Sequence, residues 1–70
     1  MSLNEAKAGR RYVVRDILTG DEETNSFLRS LGLFVGEKIT VISHLWGGPI
    51  VCVRGTRYNL DKNLAAEIIL

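Results

Sequence analysis

Phe27-Leu28-Arg29-Ser30-Leu31-Gly32-Leu33-Phe34-Val35-Gly36 is the stretch on which the fold turns. Phe27 or Leu28 pairs with Leu31 at helical spacing, so one side of a turn is apolar. Gly32 stands where a helix ends on a residue of positive φ. Leu33 follows, in the place from which a hydrophobic residue packs back on the last turn. Gly36 is a second stop, and Glu37 opens an extended run. The stretch therefore holds a helix end, a cap, a hydrophobic clasp and a turn.

Upstream, Asp21-Glu22-Glu23 places acids at a helix start, where carboxylates take up free N–H groups and oppose the positive end of the helix dipole. The spacing predicts a helix from about Glu22 to Leu31, preceded by a turn at Thr19-Gly20. Tyr12-Val13-Val14-Arg15-Asp16-Ile17-Leu18 is rich in β-branched and aromatic residues and is predicted as one strand. Val13 and Ile17 share one face with Arg15; Tyr12, Val14 and Leu18 share the other with Asp16. Ser2-Leu3-Asn4-Glu5-Ala6 carries a capping-box pattern for a single helical turn anchored on Leu3, ended by Ala8-Gly9.

Downstream, Glu37 to Trp46 is predicted as a strand in which Ile39, Val41 and Leu45 alternate with Thr40, Ile42, His44 and Trp46. Gly47-Gly48-Pro49 is read as a tight turn, and Ile50-Val51-Cys52-Val53 returns to complete a β-hairpin. Arg54-Gly55-Thr56 bends the chain into Arg57-Tyr58-Asn59-Leu60. Asp61 is read as the N-cap of a helical turn, and Glu67-Ile68-Ile69-Leu70 as a last strand. Five short strands with tight turns predict a mainly β fold, a small, partly open barrel with one short helix after the first strand. The apolar last strand is expected to pair with the first or second strand, because a bare apolar edge would aggregate.

Seventy residues are read as one domain, 1–70, with little apolar material to spare for a deep pocket. An apolar fraction of 46% excludes a disordered chain, and a net charge of +1 excludes a polyelectrolyte ligand for nucleic acid. The single cysteine, Cys52, allows no internal disulfide. The first residues are polar and mixed in charge, and no apolar run reaches the roughly 18 residues of a membrane span. The expectation is a cytoplasmic protein that meets a membrane only through a partner, with no direct insertion.

Leu28-Arg29-Ser30-Leu31-Gly32-Leu33-Phe34-Val35-Gly36, then Gly48-Pro49-Ile50, then Val53-Arg54-Gly55-Thr56-Arg57, then Leu60 and Leu64-Ala65, resemble the FeoA family of small proteins associated with bacterial ferrous iron transport. Ser2-Leu3 and Gly9 fit the same pattern, so the resemblance spans essentially the whole chain. Val35 departs from it, since members often carry proline before the glycine that closes the clasp. The strand from Pro49 to Gly55 is about a residue shorter than usual. The resemblance implies an SH3-like β-barrel and a partner, the cytosolic GTP-binding portion of a FeoB-type membrane transporter. Similar domains end some iron-dependent repressors, which supplies the alternative function, a metal-binding or metal-sensing domain.

Candidate functional residues follow. Phe27, Leu31 and Phe34 can close the core or offer an apolar patch to a partner. Trp46, beside Gly47-Gly48, can cover the barrel end or anchor an interface. His44 and Cys52 lie on paired strands on either side of a turn and are the candidate metal ligands, for Fe(II) or another divalent ion, but two ligands are too few for a closed site. No cofactor is otherwise expected. Arg10, Arg11, Arg54 and Arg57 read as a solvated surface rather than a nucleic-acid face, since only Tyr12 and Tyr58 interleave with them. No nucleophile–base set, P-loop or GxGxxG is present, so no enzymatic activity is expected. An arginine finger from Arg29, Arg54 or Arg57 is chemically conceivable, and the spacing selects none of them.

Overall fold

Asp21 starts the long helix and Gly32 stops it. In the computed structural model, which describes all of residues 1–70, helix α1 spans Glu22–Leu31. The Asp21 carboxylate accepts from the Thr24 N–H and hydroxyl, and these bonds hold its pKa below the usual carboxylate range. At the other end Gly32 adopts φ 92°. Its N–H donates to the Arg29 carbonyl at 3.0 Å, and the Leu33 N–H reaches back to the Leu28 carbonyl at 2.9 Å. This is the paired bonding of a Schellman cap, with Leu28 and Leu33 both wholly buried as its hydrophobic contact.

Six strands make up most of the remaining regular structure: β1 (Arg11–Val13), β2 (Asp16–Ile17), β3 (Lys38–Leu45), β4 (Gly48–Val53), β5 (Thr56–Asn59) and β6 (Ile68–Ile69). A 3₁₀ turn at Leu3–Glu5 precedes them, with the Ser2 N–H donating to Glu5 Oε1 at 2.8 Å. A second short helix, α2 (Lys62–Ala65), follows β5, capped by the Asp61 carboxylate. The strands form a four-stranded antiparallel sheet in the order β1-β3-β4-β5 and a two-stranded pair, β2-β6. The two sheets and α1 enclose one cluster of thirteen buried apolar residues, drawn from every part of the chain from Leu3 to Leu70. The architecture is small and mainly β, the SH3-like arrangement that the family resemblance implies, and the last strand does pair with the second half of the first.

Three local expectations give way. The predicted strand Tyr12 to Leu18 is two strands, because its middle changes partners. The Val14 N–H donates to the Glu37 carbonyl at 2.9 Å, whereas the Arg15 N–H donates to the Ile69 carbonyl at 2.8 Å. The chain thus leaves β3 and joins β6, and Leu18, placed on one face with Val14, ends 56% exposed while Val14 is buried.

The hairpin turn is Trp46-Gly47, not Gly47-Gly48-Pro49. Leu45 pairs with Gly48 and His44 with Pro49, so Gly48 and Pro49 are strand residues. Gly48 is required there by close approach: at φ 143°, a Cβ would lie 1.9 Å from the Leu60 carbonyl oxygen.

The face of β3 also inverts along its length. Val41 pairs with Val51 but Ser43 with Ile50, which leaves Ile42 as the extra residue of a β-bulge. One extra residue flips every later side chain. Leu45, expected inside with Ile39 and Val41, is 53% exposed, while Ile39 and Val41 stay buried.

Candidate functional site

The β3–β4 hairpin ends in the most exposed apolar feature of the chain. Trp46 is 100% exposed, with Leu45 beside it on the strand side of the turn. The loop is only two residues long, so the indole stands on a short and well-anchored tip. The anchoring comes from behind. Because Gly48 has no side chain, the segment from Leu60 to Lys62 lies against the hairpin. The Lys62 N–H donates to the Gly47 carbonyl and the Leu60 N–H to the Pro49 carbonyl, each at 2.9 Å. Asn59 Nδ2 adds bonds to the Gly48 and Pro49 carbonyls.

Beside Trp46 lies an open groove of about 210 Å³, lined by Asn4, His44, Leu45, Trp46, Gly48, Pro49 and Lys62. Its floor is tied together across the chain: Asn4 Nδ2 donates to the Lys62 carbonyl at 2.9 Å, and His44 Nε2 bonds the Ala6 carbonyl. The bulge at Ile42 is what turns His44 toward this groove. An aromatic anchor beside a polar groove suits the docking of another protein, since little loop ordering remains to be lost on binding.

The other candidate residues lie elsewhere. Phe27 is 51% exposed on α1, Leu31 is half-buried against the core, and Phe34 is half-buried beneath Arg54, whose guanidinium carbon lies 5.4 Å from the ring centroid. The Cβ position of Gly32 lies 3.1 Å from Val53 Cγ1. The clasp therefore meets the Val53 end of β4, and Trp46 stands beyond the Gly48 end. At about 3.4 Å per residue the two ends are roughly 17 Å apart. The structure divides the four apolar candidates into two separate surfaces.

His44 and Cys52 are not neighbours. His44 pairs with Pro49, and Cys52 pairs with Thr40 on one side and Arg57 on the other. Pro49 is buried while Cys52 shows itself on the outer side, so the two ligand candidates belong to opposite faces of the sheet. No three His, Cys, Asp or Glu side chains converge anywhere in the chain, and His44 Nε2 is already engaged by a carbonyl, so the residues present do not fit a closed metal site.

Of the arginines, Arg29 pairs with Glu22 at 2.6 Å, and Arg54 grips both oxygens of Glu37 at 3.2 and 3.1 Å. The hydrogen bonds to Glu37, and then its charge, raise the Arg54 pKa. Arg57 has no such partner. No helix is long and apolar enough to cross a membrane.

Comparison with known proteins follows the same lines. The family model described as the FeoA domain matches residues 1–70. No curated protein sequence matches the chain. Among solved structures, an iron uptake regulatory protein, FeoA, shares 33% identity, with 96% of this chain and 88% of that one aligned at a TM-score of 0.84. FeoA of Stenotrophomonas maltophilia, complexed with zinc, shares 27% identity over 99% of this chain and 87% of that one, with a TM-score of 0.80. It is described as a prokaryotic SH3-domain protein and a candidate activating factor for ferrous iron transport. A manganese-dependent transcriptional repressor carries the same fold at 18% identity, with 97% of this chain aligned to 39% of the repressor at a TM-score of 0.86.

Proposed function

Since the chain belongs to the FeoA family, we propose that it is a non-enzymatic accessory of ferrous iron transport that binds the cytosolic, GTP-binding portion of a FeoB-type transporter. The observation that carries the reading is Trp46, wholly exposed on a two-residue turn beside an open groove. A tryptophan left entirely in water contributes nothing to the fold, and tryptophans in such positions are common anchors of protein interfaces. The turn that carries it is braced by backbone hydrogen bonds, from Lys62 to Gly47 and from Leu60 to Pro49. The groove holds one imidazole, a lysine, an asparagine and no nucleophile–base pair. Family membership supplies the transport context, and the candidate activating role of the Stenotrophomonas relative supports an accessory that acts by contact.

The test is affinity capture from the native host with tagged wild type and tagged Trp46→Ala. The expected result is a membrane GTP-binding transporter recovered with wild type and lost with the variant. An interface tryptophan of this kind contributes about 2 kcal/mol or more, roughly thirtyfold in affinity. Equal recovery with both proteins would remove the hairpin tip as the docking site. Recovery with neither would remove the accessory reading itself.

A further inference from the structure

A net charge of +1 hides an uneven distribution. None of the eight acidic residues lies in β1, β3, β4 or β5, and those strands carry Arg11, Lys38 and Arg57. The register brings these cations to one side. Arg11 is opposite Thr40, Thr40 opposite Cys52, and Cys52 opposite Arg57. Residues paired directly across strands project from the same face, so these four make one row across the whole sheet. Lys38 sits two residues from Thr40 and is paired with Val13, which places both on that face as well.

The row faces water. Arg11, Lys38, Arg57 and Val13 are exposed, and Thr40, Cys52 and Ile50 are half-buried between them, while the alternating Ile39, Val41, Val51 and Val53 form the core. None of the three cations has an ion-pair partner, because the chain's two ion pairs are Arg29–Glu22 and Arg54–Glu37. Glu37, the acid next to β3, is thereby held by Arg54. Three strand spacings separate Arg11 from Arg57, about 14 Å.

We propose that this outer face of the four-stranded sheet is a second docking surface, for an acidic segment of a protein partner whose carboxylates reach Arg11 and Arg57. In an extended segment, side chains four residues apart point the same way and span about 14 Å, which matches the row. The shallow strip of Thr40, Cys52 and Ile50 gives the segment's backbone a dry floor. Nucleic acid is the weaker fit. The tyrosines of this sheet, Tyr12 and Tyr58, pack against the core and offer no stacking platform to the outer face. This face is independent of what docks at the Trp46 tip.

The test uses a short fluorescent peptide with two glutamates four residues apart in a serine–threonine background, followed by anisotropy at low ionic strength. Its controls are the glutamine version and a version with the glutamates adjacent. Each exposed ion pair is worth up to about fivefold in affinity, so Arg11→Gln combined with Arg57→Gln is expected to weaken binding roughly tenfold. Circular dichroism checks that the variant is folded, and Trp46→Ala should bind the peptide as wild type does. Amide shifts on titration should cluster at Arg11, Thr40, Cys52 and Arg57. Equal binding by the double arginine variant, by the glutamine peptide or by the adjacent-glutamate peptide would overturn the proposal. So would tighter binding of a single-stranded oligonucleotide to the same amides.

Discussion

Replacing Gly48 by alanine would set a methyl carbon 1.9 Å from the Leu60 carbonyl oxygen and 2.8 Å from the Lys62 nitrogen. Carbon and oxygen in close contact normally stay about 3.3 Å apart or more, so the two backbone segments must separate by roughly 1.4 Å. Neither can move freely, because the bonds Leu60 N–H to Pro49 O and Lys62 N–H to Gly47 O stitch them together. Overpacking costs about 1–3 kcal/mol. The φ of 143° adds backbone strain for a residue with a Cβ, also about 1–3 kcal/mol. The expected loss is about 2–6 kcal/mol, against a total of roughly 3.5–10 kcal/mol for a chain of this length. Urea unfolding followed by circular dichroism reads the change. Trp46 fluorescence would not, since that side chain is already in water when the protein is folded. With a slope near 1 kcal/mol per molar urea, the midpoint should fall by about 2 M or more. Gly47→Ala is the control, with no atom within 4 Å of its added methyl, and should stay within about 0.5 kcal/mol of wild type. A Gly48→Ala protein as stable as wild type would refute the close-approach argument, and so would equal losses at both positions.

Leu28→Ala and Phe27→Ala differ by one position on α1 and by everything in burial, 0% against 51% exposed. The first should lose about 2–5 kcal/mol in denaturant unfolding and the second under half of that. Acid should also destabilise the fold. Hydrogen bonds from Thr24 to Asp21, and from the Ser2 backbone to Glu5, depress both carboxyl pKa values in the folded state. A depressed folded pKa contributes stability above the unfolded value of about 4, and that contribution disappears as pH falls through the folded pKa. Urea midpoints measured from pH 6 downward should therefore drop below about pH 4, and Asp21→Asn should show a shallower drop.

How much of this was legible in the sequence depends on whether the cause was local. Asp21, Gly32 and Asp61 act within a few residues of themselves, and all three caps stand where the side-chain chemistry puts them. The end of the last strand on the second half of the first follows from the need to cover an apolar edge. The break at Val14-Arg15 was not legible, because it comes from bonds to Glu37 and Ile69, distant in sequence. The bulge at Ile42 left no mark on composition, yet it decides that Leu45 faces water and His44 the groove. A hairpin-tip Trp46 could be picked out from Gly47-Gly48 alone. Its separation from Phe27 and Phe34 could not, since that depends on which end of β4 receives the clasp. The Arg11–Arg57 row is of the same kind: its members come from strands at opposite ends of the chain, and only the register aligns them.

Trp46 is the one tryptophan in the chain, which makes docking through the hairpin tip directly measurable. Protein labelled with 5-fluorotryptophan gives a single fluorine resonance, initially that of an indole in water. On titration with the cytosolic GTP-binding portion of a FeoB-type transporter, this resonance should shift and broaden to saturation and lose its sensitivity to solvent. Complex formation with the resonance unmoved and still open to solvent would contradict docking through the hairpin tip.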